Sequence, residues 1–175
     1  LLNLSGTKMS KSLGNTLSVA SLGEKGFRPA DIRYYLTTGH YRSPLEFSED
    51  LLAEAKTGWE RLSNFVHRAA ESLGAEATIG GRLSADFVNA MDDDLNTPAA
   101  IAAIHDMARE GNTALDSGND TAATSSAGGV LGLAGLVGLP EAEVAGVALV
   151  AGVGAGEHVL GAAVGELAVV GPGGH

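Results

Sequence analysis

Between Asp50 and Leu73 the apolar positions return at three- and four-residue steps, so that Leu51, Leu52, Ala55, Trp59, Leu62, Val66, Ala69 and Leu73 form one stripe. That spacing predicts an amphipathic helix with one buried face. Ser48 just ahead of it is a cap candidate, and Glu49 and Asp50 put acids in the first turn, where the helix dipole favours them. A second helix is predicted over 84–91, with Leu83, Phe87, Ala90 and Met91 on one side. Asn96-Thr97-Pro98 reads as the start of a third, with Thr97 as the cap, Pro98 preset for the first helical position, and Ile101, Ile104, Ala108 and Leu115 as the buried stripe. Turns such as Gly80-Gly81 join these segments. The middle of the chain therefore predicts an antiparallel helical bundle.

Upstream the elements are shorter. Leu1-Leu2-Asn3-Leu4 reads as the middle of a strand, and a chain that opens there, without Met, implies a missing upstream part. Pro29 sits where a helix can begin, and Ile32, Tyr35 and Leu36 share a face, which predicts one helix over 29–39 ending near Gly39. Pro44 biases Ser43 away from helical geometry, so 40–47 reads as an extended linker.

Composition narrows the chemistry. The 175 residues suffice for one or two domains with a core. With no cysteine there is no disulfide framework, thiolate zinc site or cysteine nucleophile. The histidines (His40, His67, His105, His158 and His175) show no HxH or HxxxH spacing, so no metal site is expected in this chain. A net charge of -10 argues against broad adhesion to nucleic acid. All 11 Lys and Arg residues lie at or before Arg109, and 14 of the 25 glycines fall from Gly128 onward. Glycine at that density disfavours helix, so a low-complexity tail is expected there. Thr121 to Pro140 is uncharged and long enough to span a bilayer, but its Thr and Ser residues, its glycines and the lack of flanking cations argue against insertion. The absence of a basic segment before an apolar run gives no sign of a secretory signal, and a cytoplasmic location is expected.

The candidate chemistry sits near the start. Lys8-Met9-Ser10-Lys11-Ser12, followed by Leu13-Gly14-Asn15, places two ammonium groups and two hydroxyls beside a glycine, a loop suited to phosphate oxygens. His40, Tyr41 and Arg42 could face nucleic acid or fix the angle between the connecting region and the bundle, and the structural role is favoured. Asp92-Asp93-Asp94 points in diverging directions on a helix and suits helix-end solvation better than metal binding. Trp59 is expected in the core, and His67 and His105 as packing or surface residues without partners.

The runs TKMSKSLGN, RPADIRYYL, GHYRSPLEFSEDLL and MDDDLNTPAAIAAIHDM, in this order, resemble cysteinyl-tRNA synthetase, a class I aminoacyl-tRNA synthetase, over residues 1–136. The resemblance implies a mainly α chain in three parts. The first, 1–47, holds the signature loop and a stem-contact-like connecting helix left from an α/β nucleotide-binding domain. The second, 48–138, is a DALR-like, tRNA-binding helical bundle, and the third, 139–175, is a Gly/Ala-rich tail.

It also implies ATP-dependent activation of cysteine and transfer to tRNA(Cys), with ATP and Mg2+, cysteine and tRNA as partners, by a monomer. Lys11 is implied as the main contact to the ATP phosphates, supported by Lys8, with Ser10 and Ser12 as hydroxyl or backbone contacts and Met9 packed between the lysines. The family's amino-acid pocket, zinc ligands and other ATP signature lie upstream, so residues 1–175 on their own are expected to be inactive. The basic helical tail of the family has no counterpart after about Leu139, which suggests divergence or an out-of-frame translation; reading the other two frames tests the latter. Two other classes stay open. One is the cysteine ligase of mycothiol biosynthesis, which joins cysteine to an amino-sugar, and the other is a non-catalytic module binding tRNA or protein.

Overall fold

The computed structural model describes residues 2–4, 7–8, 18–74 and 81–139. In chain order these form β1 (Leu2–Leu4), β2 (Thr7–Lys8), α1 (Val19–Glu24), α2 (Pro29–Thr37), β3 (Leu45–Phe47), α3 (Glu49–Leu73), α4 (Ala85–Asp92), α5 (Thr97–Asp116) and α6 (Asp120–Leu136). The described residues are mainly helical, as expected. The strand read at the start of the chain is present as β1.

The predicted helix over 50–73 is α3, capped by Ser48, whose Oγ accepts from the Leu51 amide at 3.1 Å. Its buried face holds Leu52, Ala55, Trp59, Leu62, Phe65, Val66 and Ala69. Leu51 is exposed instead, because Leu52 occupies the core-facing position one residue on, and Phe65, absent from the predicted stripe, is buried. Burying a large apolar side chain stabilises by about 1.5–3 kcal/mol, so this one face supplies a large share of the core. The helix predicted over 84–91 is α4, with Ser84 as cap, although Leu83 points to solvent. The third helix is α5, but its cap is Asn96, whose side chain accepts from the Ala99 amide at 3.2 Å. Thr97 is already helical, and its hydroxyl donates to the Gly39 carbonyl at 3.2 Å.

The structure departs from the sequence reading in three further places. The segment 40–47 is not all linker: Leu45–Phe47 is a strand that pairs in parallel with β1, with Leu2 opposite Leu45 and Leu4 opposite Phe47. A three-residue strand carries almost no signal of its own and exists here because β1 offers it a ladder. Helix α1 adds an element that the hydrophobic pattern does not predict; Ser18 and Ser21 close a reciprocal capping box that starts it.

The third correction is the largest: the Gly-rich stretch from Gly128 is helical as far as Leu136. Its lack of side chains is the reason it fits. A Cβ on Gly129 would come within 2.5 Å of Met107 Sδ and 2.8 Å of the Arg82 carbonyl, and one on Gly111 of α5 within 2.1 Å of Phe65 Cζ. Close packing against α5 and α3 overrides the weak intrinsic propensity of glycine. No helix among the described residues is long and apolar enough to cross a membrane.

Helices α3, α4, α5 and α6 pack into the bundle around one core cluster, which α2 joins through Ala30, Tyr34 and Tyr35. Gly118, at φ 69°, makes the short turn that folds α6 back along α5. Leu139 closes the described part of the tail and is buried, while 140–175, like the turn residue Gly80, lies outside the described residues.

Candidate functional site

The start of the signature run lies on a small sheet of order β2-β1-β3. Lys8 is the last residue of β2, paired with Asn3, and Thr7 is paired with Leu4. Met9, Ser10, Lys11 and Ser12 lie outside the described residues.

Two tyrosines in succession let α2 hold both the sheet and the bundle. A helix turns by about 100° per residue, so neighbours point to different partners. Tyr35 donates its hydroxyl to the Glu46 carbonyl and packs edge-on against Phe47, with ring centroids 5.8 Å apart, which fixes β3. Burial, with help from the Glu46 carboxylate, raises its pKa. Tyr34 turns to the bundle, where its hydroxyl lies 2.6 Å from His105 Nε2 on α5 and its ring 6.0 Å from Trp59 on α3. Gly58 makes room for it, since a Cβ there would sit 2.9 Å from the Tyr34 hydroxyl.

At this three-helix junction Tyr34 and Trp59 are buried and His105 is half-buried. Burial pushes Tyr34 up to about 12 against a smaller opposing pull from the Arg61 guanidinium. Burial lowers the pKa of His105, Arg61 adds to that, and Asp106 opposes it. Trp59 is fully buried, as expected, and its Nε1 has no hydrogen-bond partner among the described residues. The expectation that His67 and His105 lack partners is corrected: His105 meets Tyr34, and His67 Nδ1 meets the Ser63 carbonyl at 2.9 Å. The His105 partner lies 71 residues away in sequence and the His67 partner within one helical turn, so only the second could have been suspected from spacing.

The start of α2 is fixed by charge. Asp31, fully buried, accepts from the Arg28 amide at 2.8 Å and from its guanidinium at 2.8 Å and 3.2 Å. A buried carboxylate so satisfied keeps α2 in one position.

Tyr41 and Arg42 reach from the connector after α2 to the corner after α4. The Tyr41 hydroxyl donates to Asp94 Oδ1 at 2.7 Å, and Arg42 Nη2 lies 3.1 Å from the same oxygen. The bond to Asp94 raises the Tyr41 pKa. Asp92 ends α4 and Asp93 caps it, so the acidic triplet sits at a helix C-terminus and in the corner beyond. Among the described residues no group of three His, Cys, Asp or Glu side chains is placed to hold a metal.

Six of the described cations are engaged by carboxylates, including Arg68 with Asp116 and Arg82 with Glu110. Arg82 and Glu110 also line a cleft of about 440 Å³ with Thr121, Ser125 and Ser126. Its lining offers hydroxyls and one ion pair. Such exposed pairs contribute little to stability.

Two family models match the chain. Residues 1–57 match the catalytic domain of class I (C) tRNA synthetases, and residues 86–139 match the DALR domain. A protein of Nocardioides sp. described as "Cysteine--tRNA ligase" is 49% identical over 141 residues, which is 80% of this chain and 29% of that protein. The chain thus spans less than a third of that relative's length.

Proposed function

This chain belongs to the cysteinyl-tRNA synthetase family, and from that premise we propose that it supplies the phosphate-binding signature and a tRNA-orienting helical unit to an ATP-dependent cysteine ligase. The observation that carries this reading is the run TKMSKSLGN, which begins on β2 inside the stretch matching the catalytic-domain model.

In the proposed reaction the cysteine carboxylate attacks the α-phosphorus of ATP. A C–O–P mixed anhydride forms, and the bond from the α-phosphorus to the bridging oxygen breaks, so that pyrophosphate leaves with the electron pair. Negative charge grows on the departing oxygens. Lys11, with Lys8 in support, stabilises that charge when the loop closes, and the hydroxyls of Ser10 and Ser12 contact the phosphates. Mg2+ bound to ATP would neutralise part of the phosphate charge. A terminal hydroxyl of tRNA(Cys) then attacks the carbonyl carbon, the ester forms, and AMP leaves.

The bundle's part is to orient tRNA. Arg61 is exposed on α3 and makes no ion pair among the described residues, so it can meet a phosphate without first losing a carboxylate.

The test is cysteine-dependent ATP–pyrophosphate exchange in the ligase that carries these residues, with and without Lys11→Ala. Loss of a transition-state charge contact lowers the rate by roughly two orders of magnitude or more. An unchanged rate removes the role given to Lys11.

A further inference from the structure

Two consecutive residues other than glycine, Asp94 at φ 54° and Leu95 at φ 55°, hold left-handed backbone in the corner between α4 and α5. Asp tolerates that conformation better than Leu, and both are unfavourable unless their surroundings impose them. The corner is gripped from outside by the connector that leaves α2. Besides the two contacts to Asp94 Oδ1, Arg42 Nε donates to the Tyr41 hydroxyl at 2.7 Å. His40 stacks on Tyr41 with centroids 4.9 Å apart, and Thr97 reaches the Gly39 carbonyl.

These side chains are exposed, Arg42 at 68% and Asp94 at 46%, and exposed ion pairs contribute little to stability. Their effect is geometric. Leu45, three residues after Arg42, begins β3; β3 pairs with β1, and β1 pairs with β2, where Lys8 sits opposite Asn3. A side chain in the bundle corner is thus linked to the first signature lysine through one short connector and two backbone ladders.

We propose that Tyr41, Arg42 and Asp94 are positioning residues that clasp the connector to the bundle corner and thereby hold the signature hairpin in one orientation relative to the helices. The catalytic half of this inference rests on the proposed ligase function; the mechanical half does not.

Two variants separate the clasp from simple stability. Asp94→Gly removes the carboxylate while suiting the left-handed backbone, and Tyr41→Phe removes one exposed donor, so both fold. In each, amides of Leu45–Phe47 and Leu2–Leu4 exchange with solvent faster, by about tenfold in Asp94→Gly, while those of α5 keep their rates. In the ligase, kcat of cysteine-dependent ATP–pyrophosphate exchange falls roughly tenfold in Asp94→Gly with KM for cysteine unchanged, the mark of misplaced rather than missing groups. Unchanged exchange in β1 and β3 overturns the clasp. Faster strand exchange with an unchanged kcat in an otherwise active ligase overturns its catalytic role. A wild-type ligase with no cysteine-dependent activity removes the proposed function instead, and hydrogen exchange alone then decides the clasp.

Discussion

The Tyr34 hydroxyl lies 2.6 Å from His105 Nε2, joining α2 to α5 beside the fully buried Trp59. This part-buried hydrogen bond ties the connecting helix to the bundle.

Tyr34→Phe keeps the ring in place and leaves His105 Nε2 unpaired. A stability loss of about 1–2 kcal/mol is expected. Denaturant unfolding followed by the fluorescence of Trp59, the sole tryptophan, measures it. A loss near zero would mean that the contact is replaced by another partner.

The same pair sets a pH dependence with a definite sign. The His105 pKa is lowered in the fold, so on acidification the unfolded chain takes up the proton first. Its contribution is complete above the ordinary value of about 6.5 and is lost as pH falls from there through the folded value. Tyr34 acts at the other end: its folded pKa of about 12 lies above the ordinary 10.0, so its contribution is present below pH 10.0 and is lost as pH rises toward 12. Unfolding curves at pH 5, 7 and 11 for the wild type and His105→Gln should differ in their acid limb only, with the wild type the more pH-sensitive.

Two glycines, one in each of the packed helices α5 and α6, should respond in opposite directions. Gly111→Ala drives a methyl into Phe65 and Ser126 and should cost about 1–3 kcal/mol, more if the ring cannot move. Gly132→Ala meets nothing within 4 Å and should stabilise by about 0.5–1 kcal/mol through helix propensity. Thermal midpoints of the two variants give the comparison directly.

Capping of α5 offers a fourth check. Asn96→Ala removes the side-chain acceptor of the Ala99 amide and should cost about 1 kcal/mol. Thr97→Val loses only the bond to the Gly39 carbonyl, a single exchange worth about 0.5–1.5 kcal/mol. If the helix content of Asn96→Ala is undiminished near α5 by NMR chemical shift, the assignment of the cap is wrong.

How far the sequence could be read depends on where each element gets its stability. Helix α3 announces itself because its buried face recurs over 25 residues and its cap lies next to it. Helix α6 does not, since its burial consists largely of Ala, Ser and Gly whose value lies in what they allow to approach, and a hydrophobic pattern counts large side chains only. Strand β3 is invisible for a different reason: its partner β1 lies more than 40 residues upstream. In the candidate site, the signature run is legible as chemistry because its residue types are unusual together. The Tyr34–His105 junction and the Asp94 corner are not, because each depends on tertiary contacts between segments 71 and 53 residues apart.

The guanidinium of Arg33 on α2 donates to the Gly138 carbonyl, just past α6, at 2.9 Å. The segment that enters the helical unit and the one that leaves it therefore meet at a single side chain. A unit whose two ends are neighbours can be cut and rejoined elsewhere, or set into a loop of another protein, with little loop-closure cost. Residues 28–139, which keep Arg28 beside the buried Asp31, are in that sense a portable block, and a circular permutant that links their ends and opens the segment between α3 and α4 should keep the bundle's fold.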